Sequence, residues 1–280
     1  MQRNRTGRAI VALSGSLALA ISVSAQESRI PLPFAREWAA GSPLPRPVGV
    51  GVTYYTQDQD YRLTSVEVGG AAAAALGGAG GLVPVPSEML TGIAADNSVR
   101  EINVKLDGWI LPFLNVFGLV GALEGETAVD NLSPPLPVTS LDFDYDGVVF
   151  GLGATLAGGV GPAFGALTAT YTDTSLDGSE SALTAWILAP KVGIRLDDVA
   201  PALDVALWVG GVYQNIEEQQ KGRLDIPGMG PVDYAVDLEQ EEEWNYAAGA
   251  TALLDDAWQV DLEAGFGERT HAAASVTFRF

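Results

Sequence analysis

Apolar and polar residues alternate with a period of two along much of the chain, and the pattern is clearest in its last stretch. Between Ala272 and Phe280 every second residue is apolar, including Phe278, while the intervening positions include Thr277 and Arg279. Successive side chains of a β-strand point to opposite faces, so this alternation predicts a strand with one apolar and one mostly polar face.

The same alternation recurs between turn and loop signals, and it predicts an all-β, antiparallel up-and-down arrangement of ten strands. The predicted strands begin at Val48 and continue with residues 99–110, 113–124, 143–158, 163–172, 183–196, 201–215, 244–254, 257–267 and 272–280. Short turns at 111–112, 158–162, 197–198 and 255–256 alternate with longer polar loops. Twelve strands result if residues 61–68 form a separate crossing and residues 82–90 contain another strand.

The strands must close on themselves if they lie in a membrane. After residue 25 no apolar run reaches the roughly 18 residues that a membrane-spanning helix needs. Strands can cross lipid only as a closed barrel, because every backbone group must be hydrogen-bonded there. With its terminal Phe280, the chain resembles the transmembrane β-barrel proteins of the Gram-negative outer membrane. The resemblance implies short periplasmic turns, long extracellular loops, lipid and lipopolysaccharide as surroundings, and folding by the barrel-assembly machinery.

The residues before Val48 divide into two predicted segments. Residues 1–25 combine three early arginines, an apolar stretch and a small-x-small site ending at Ala25, which is typical of an export signal peptide. Residues 26–47 are rich in proline and are expected to be an irregular periplasmic segment. Its apolar residues Leu32, Phe34 and Trp38 either dock on the barrel or belong to a disordered tail. Residues 48–280 are the predicted barrel.

Charge and cysteine content exclude several classes of function. The net charge of −20 makes nucleic acid, itself a polyanion, an unsuitable partner, and it disfavours attraction to an anionic membrane surface. The chain has no cysteine, so it contains no disulfide and no cysteine-linked lipid anchor. Nothing in the composition indicates the oligomeric state.

Alternation places charged side chains of both signs inside the barrel, and these are the candidate lumen residues. The set is Lys105, Asp107, Lys191, Arg195, Asp204, Asp261, Glu263 and Arg279. One interpretation is a structural network of ion pairs, because buried charges must be paired. The other is a polar pathway that selects small solutes. Inward-facing glycines, such as Gly151 and Gly153, favour the second interpretation if they leave empty space.

Aromatic residues are expected to form belts at the two membrane interfaces. The outer belt is predicted to contain Tyr54, Tyr171, Tyr213, Trp244 and Tyr246. The inner belt is predicted to contain Trp258 and Phe280.

The long loops contain three features. Residues 69–97 are rich in alanine and glycine and form either a surface loop or a constriction inside the barrel. Residues 221–226 and 232–238 are expected to pair as a protruding hairpin. Carboxylates cluster at 142–146, 217–218 and 239–243, and they form either a solvated repulsive surface or a site for divalent cations that bridge to lipopolysaccharide phosphates. No other cofactor and no metal site is predicted.

His271 is the single histidine, and alternation turns it into the lumen near the outer mouth. Ser275 lies on the same face about 13 Å away at the rise of a strand, too far for a hydrogen bond, so no catalytic residue is assigned. The pattern therefore favours a narrow channel or transport-associated barrel for small solutes. The alternatives are a closed structural or adhesive barrel with acidic loops, and a lipid-modifying enzyme that uses His271.

Overall fold

The structure is a computed structural model of the chain. It describes residues 32–39, 44, 46–90, 93–130, 140–177, 182–217, 219–226, 230–240 and 242–280. The predicted signal peptide lies outside these residues, as does part of the proline-rich segment. Among the described residues no helix is both long and apolar enough to cross a membrane.

Thirteen strands and three short helices make up the described chain. The strands are β1 (Val48–Val68), β2 (Val83–Pro84), β3 (Ala94–Leu111), β4 (Leu114–Asp130), β5 (Ser140–Val160), β6 (Ala163–Leu176), β7 (Ala182–Ala200), β8 (Leu203–Glu217), β9 (Gln219–Ile226), β10 (Gly230–Gln240), β11 (Trp244–Leu254), β12 (Trp258–Phe266) and β13 (Arg269–Arg279). The helices are a 3₁₀ turn (Arg36–Ala39), α1 (Gly70–Ala75) and α2 (Ser87–Leu90).

Ten of the strands form a closed antiparallel barrel, which confirms the predicted fold. In order around the barrel they are β1, β3, β4, β5, β6, β7, β8, β11, β12 and β13, and β13 pairs with β1 to close the ring. Residues 112–113, 161–162, 201–202 and 255–257 connect strands at one end, which we call the turn end. The opposite end, which carries the longer insertions, is the loop end.

The two faces of each strand differ in exposure as the alternation predicts. On β5, Leu152 is 70% exposed while Val149, which points inward, is 4% exposed. On β4 both faces are apolar, and the structure turns Asn115, Leu123 and Thr127 inward. Water does not solvate an apolar outer surface of this extent on a stable monomer, so the barrel wall faces lipid.

Several boundaries differ from the sequence prediction. Residues 61–68 continue β1 and are not a separate crossing, and residues 82–90 contain only the two-residue β2. The turn predicted at 197–198 lies at 201–202, because a register shift after Leu196 lets β7 run on to Ala200. Pro190 removes one backbone donor from β7, but it lies opposite Leu167 and the register is unchanged on both sides of it.

The loop end of the barrel is extended by the predicted hairpin. β9 and β10 pair with each other, and β10 continues along β1 beyond the point where β13 begins, from Tyr61 opposite Gln240 to Val68 opposite Tyr234. Helix α1 packs there, and its Ala72 is buried with Val232. The described part of the alanine- and glycine-rich insertion therefore lies against the outer parts of β1 and β10.

The N-terminal segment contacts the turn end. The backbone N–H of Phe34 donates a hydrogen bond to the carbonyl of Ile110 at 2.8 Å. The ring of Trp38 stacks on Phe113, with 6.1 Å between the centroids. The segment thus docks on the connection between β3 and β4 through residues that the sequence marked as apolar.

Candidate functional site in the barrel lumen

A buried ion pair lies in the lumen at the turn end, over Gly49 of β1. Arg279 on β13 donates from Nη1 to Asp107 on β3 at 3.0 Å and from Nε to Gln259 on β12 at 2.8 Å. Asn115 donates to the same Asp107 oxygen at 2.7 Å. The Asp107 and Arg279 side chains are 1% and 6% exposed. These bonds connect side chains of β13, β3, β4 and β12, so they hold the inward-facing side chains together near the seam where β13 pairs with β1.

A second polar cluster surrounds Asp261 next to this pair. Its carboxylate accepts hydrogen bonds from Thr251 at 2.7 Å, from Ser275 at 3.0 Å and from Gln259 at 2.8 Å. Gln259 also accepts from Arg279, so the two clusters form one continuous network. Most polar groups in this network have close partners, but the second oxygen of Asp107 is buried without one.

Four more of the candidate lumen residues occupy different positions. Lys105 and Lys191 place their ammonium groups over the rings of Phe117 and Trp208, at 5.6 and 4.6 Å from the centroids. Such cation–π contacts stabilise an ammonium that has left bulk water. Arg195 pairs with Asp197 at 2.6 Å, and Asp204 accepts from the backbone N–H of Asp198 at 2.8 Å. Arg195 is 41% exposed, which places it at the rim.

The inward-facing glycines do not leave empty space, contrary to the sequence-based interpretation. A Cβ atom on Gly153 would overlap the ring of Phe117, and one on Gly249 would overlap Trp208. Large side chains of neighbouring strands lie flat over these glycines and fill the lumen. Trp208 is only 8% exposed and Thr277 only 1%. The half of the lumen near the turn end is therefore closely packed.

His271 and Glu263 form the main polar contact at the loop end. The Nε2 atom of His271 lies 3.0 Å from a Glu263 oxygen, and Nδ1 lies 3.3 Å from the side-chain nitrogen of Asn245. The imidazole lies over Gly265, where a Cβ would overlap it. Ser275 donates to Asp261 instead, so His271 and Ser275 are not brought together.

A cavity of about 310 Å³ occupies the loop-end half of the lumen, and its two walls differ in chemistry. The wall formed by β4 to β8 is mainly apolar and includes Leu123, Val149, Ile187, Val212 and Ile216. The wall formed by β1, β3, β12 and β13 is mainly polar and includes Gln57, Glu101, Asn103, Glu263 and His271. Such a cavity suits a ligand with both polar and apolar parts.

Several polar side chains that lie inside the barrel are absent from the set of candidate lumen residues. Tyr55 donates to Gln57 at 2.6 Å, Gln57 donates to Gln59 at 2.9 Å, and Asn103 donates to Glu101 at 2.8 Å. Alternation along β1 and β3 turns these side chains inward, but their polar contacts with one another do not follow from it. Arg269 was predicted to lie in a connecting loop, but it is the first residue of β13 and is buried.

The predicted interface aromatics lie on the outer face, mostly in pairs. The pairs and their centroid distances are Tyr171–Trp186 (5.1 Å), Tyr213–Trp244 (5.4 Å), Tyr246–Phe266 (6.2 Å) and Trp258–Phe278 (5.0 Å). Phe280 stacks on Phe278. Tyr54 was expected near the loop end. It lies instead in register with Ala274 and Leu262, midway along β12 between Trp258 and Phe266.

The acidic residues at 142–146 lie on β5 rather than in a loop. Asp144 pairs opposite Glu126 and Asp146 opposite Glu124, so carboxylates face each other across β4 and β5. Within the described part of the chain, no group of three or more histidine and carboxylate side chains could hold a metal ion. Cation binding at the outer loops stays a prediction.

Similarity to known proteins is structural. No protein-family model matches the chain, and the comparison with curated proteins returns no match. The β domain of the Bordetella autotransporter BrkA is similar over 83% of this chain and 100% of that one, with 12% identity and a TM-score of 0.41. The translocator domain of the autotransporter NalP from Neisseria meningitidis is similar over 88% and 92%, with 10% identity and a TM-score of 0.38.

OprG, an outer-membrane protein from Pseudomonas aeruginosa, is similar over 85% of this chain and 98% of that one, with 12% identity and a TM-score of 0.37. The neighbours are thus outer-membrane barrels of different kinds. The closed ring of ten antiparallel strands with an apolar outer face has the architecture of the outer-membrane β-barrel proteins, as the sequence pattern predicted.

Proposed function

We propose that this protein is a narrow, transport-associated barrel of the Gram-negative outer membrane that takes up a small solute with polar and apolar parts. The observation that carries the proposal is the cavity of about 310 Å³ at the loop end, with one apolar and one polar wall. Export through residues 1–25, a periplasmic location of the segment at 26–47 and folding by the barrel-assembly machinery belong to the same proposal. In it, the turn end faces the periplasm.

The packed half of the lumen is the constriction of this channel. The ion pair between Arg279 and Asp107, together with Gln259 and Asn115, occupies the path at the turn end. A solute that enters the cavity passes on only when these side chains move aside. The energetic cost of parting a buried pair predicts a low and intermittent conductance.

Single-channel recordings in planar bilayers test the constriction. In the double variant Asp107→Ala/Arg279→Ala the pair is removed without leaving one buried charge, and we expect conductance several-fold above that of the wild type. The exchanged variant Asp107→Arg/Arg279→Asp keeps a pair and serves as the control, with conductance near that of the wild type. Equal conductance in the wild type and the double alanine variant contradicts the proposal.

The enzyme alternative has weaker support, because His271 contacts Glu263 and Asn245 while Ser275 is bonded to Asp261. A nucleophile must lie within hydrogen-bond reach of its base. We expect cells that produce His271→Ala to show the same lipid A profile and phospholipid hydrolysis as wild-type cells. If the lipid A profile changes or phospholipid hydrolysis is lost only in the variant, the interpretation as an enzyme is favoured.

A further inference from the structure

Arg269 is buried at the loop end of the lumen without an ionic partner. Its exposure is 2%, and its Nε and Nη1 atoms have no hydrogen-bond partner. Nη2 makes one long contact of 3.5 Å with the carbonyl of Val212. No carboxylate among the described residues forms an ion pair with it, whereas Arg195 and Arg279 each have one.

An unpaired guanidinium in this position is energetically costly. Removing a charge from water without compensation costs several kcal/mol even after the protein relaxes. The guanidinium has five N–H donors, and most of those of Arg269 have no acceptor. The backbone at Arg269 is held in place, because the side chain of Asn245 donates to the Arg269 carbonyl at 2.6 Å. A buried donor set that is left unsatisfied indicates a ligand that supplies the acceptors.

The cavity lies beside Arg269: residues around this side chain line the cavity, and Arg269 itself lies behind them. Val212, whose carbonyl contacts Arg269, lines the cavity, as does His271 two residues along the same inward face of β13. Tyr55 and Tyr61 also line the cavity. An anionic group in the cavity therefore has a buried cation next to one wall.

The other charges of the cavity limit the kind of anion. Glu101 and Glu263 line the polar wall, where each has one hydrogen-bonded partner, Asn103 and His271. Two carboxylates repel a dianion more strongly than a monoanion. The apolar wall of β4 to β8 accommodates a hydrocarbon part. Since a water molecule takes roughly 30 Å³ of liquid volume, a cavity of about 310 Å³ holds a ligand the size of about ten waters.

We propose that Arg269 anchors the carboxylate of a small amphiphilic monoanion whose apolar part lies against the wall of β4 to β8. This assignment rests on the proposed function, since it names the class of solute that the cavity takes. Arginine suits the role because its planar guanidinium matches carboxylate geometry and stays charged when buried.

Calorimetric titration of the full chain in detergent micelles tests the assignment with three probes: hexanoate, neutral hexanamide of the same shape, and hexyl phosphate. We expect hexanoate to bind about ten- to hundredfold more tightly than hexanamide, the range for a hydrogen bond to a charged group. In Arg269→Gln this preference disappears while hexanamide binding stays. Arg269→Lys keeps the charge without the planar fork, so part of the preference remains.

Arg195→Gln is the matched control, because it removes an arginine at the other end of the lumen. Its preference for hexanoate is expected to equal that of the wild type. Equal binding of hexanoate and hexanamide by the wild type overturns the anion site but leaves the cavity as a solute site. Absence of binding by all three probes overturns both proposals, and tighter binding of hexyl phosphate overturns the choice of carboxylate. A preference that persists in both Arg269 variants shows that Arg269 is not the anchor.

Discussion

The ion pair between Asp107 and Arg279 gives the sharpest prediction about stability. In Arg279→Ala the Asp107 carboxylate stays buried, with its side chain 1% exposed and only Asn115 still donating to it. Breaking a buried pair by removing one partner costs about 3–5 kcal/mol, because an uncompensated charge is left behind. We therefore expect the free energy of unfolding to fall by about that amount.

The assay is urea unfolding of the barrel in lipid vesicles, followed by tryptophan fluorescence. The double variant Asp107→Ala/Arg279→Ala is expected to lose less free energy of unfolding than the two single variants lose in sum, because it leaves no charge unpaired. Arg195→Ala is the control. It breaks a pair whose side chains are 41% and 53% exposed, and it is expected to cost less than about 1 kcal/mol. If Arg279→Ala costs no more than Arg195→Ala, the argument that the turn-end pair is buried and structural is wrong.

Three further predictions concern other parts of the barrel. Gly153→Leu is expected to cost about 1–3 kcal/mol in the same unfolding assay because its side chain overlaps Phe117, whereas Gly158→Ala, where a Cβ meets nothing within 4 Å, changes little. Leu152→Arg on the lipid face is expected to lower the free energy of unfolding by about 2–4 kcal/mol if the position lies at the bilayer midplane. If Glu242→Arg, a change in a polar loop, lowers it by the same amount, the assignment of the outer face to lipid is wrong. In the hairpin of β9 and β10, the hydrogen bonds from Arg223 lower the pKa of Asp233. The pair therefore stabilises the hairpin fully at pH values above the usual pKa of an aspartate, and this stabilisation is lost as the pH falls through the lowered pKa. Hydrogen exchange of the hairpin amides, corrected for the intrinsic effect of pH, is expected to speed up on acidification in the wild type. In Asp233→Asn the corrected exchange is expected not to change over that range.

The alternation of residues predicted the strands well, because burial on one face and lipid on the other impose a period of two. On β4 the rule could not assign faces, since Val116 and Val120 point outward while Leu119 and Leu123, also apolar, point inward. The acidic pair Asp197–Asp198 resembled a turn, but a register shift within β7 accommodates it. Local sequence does not reveal where the pairing of two neighbouring strands shifts its register.

The contents of the lumen were harder to predict than its wall. The inward orientation of Asp107 and Arg279 follows from alternation, but their contact joins residues far apart in sequence and depends on how the ring closes. Whether an inward glycine leaves space depends on the neighbouring strand, and Phe117 fills the space beside Gly153. Arg269 was missed because the last strand begins earlier than its alternation suggested.

Thiol accessibility tests the central claim most directly, namely that the lumen is open as a cavity at the loop end and packed at the turn end. The chain has no cysteine, so a single introduced thiol reports its own position. Thr172 lines the cavity, while Thr277 at the turn end is 1% exposed. In intact cells, a membrane-impermeant thiol reagent is expected to label Thr172→Cys rapidly and Thr277→Cys slowly. Equal labelling rates at the two positions contradict the account.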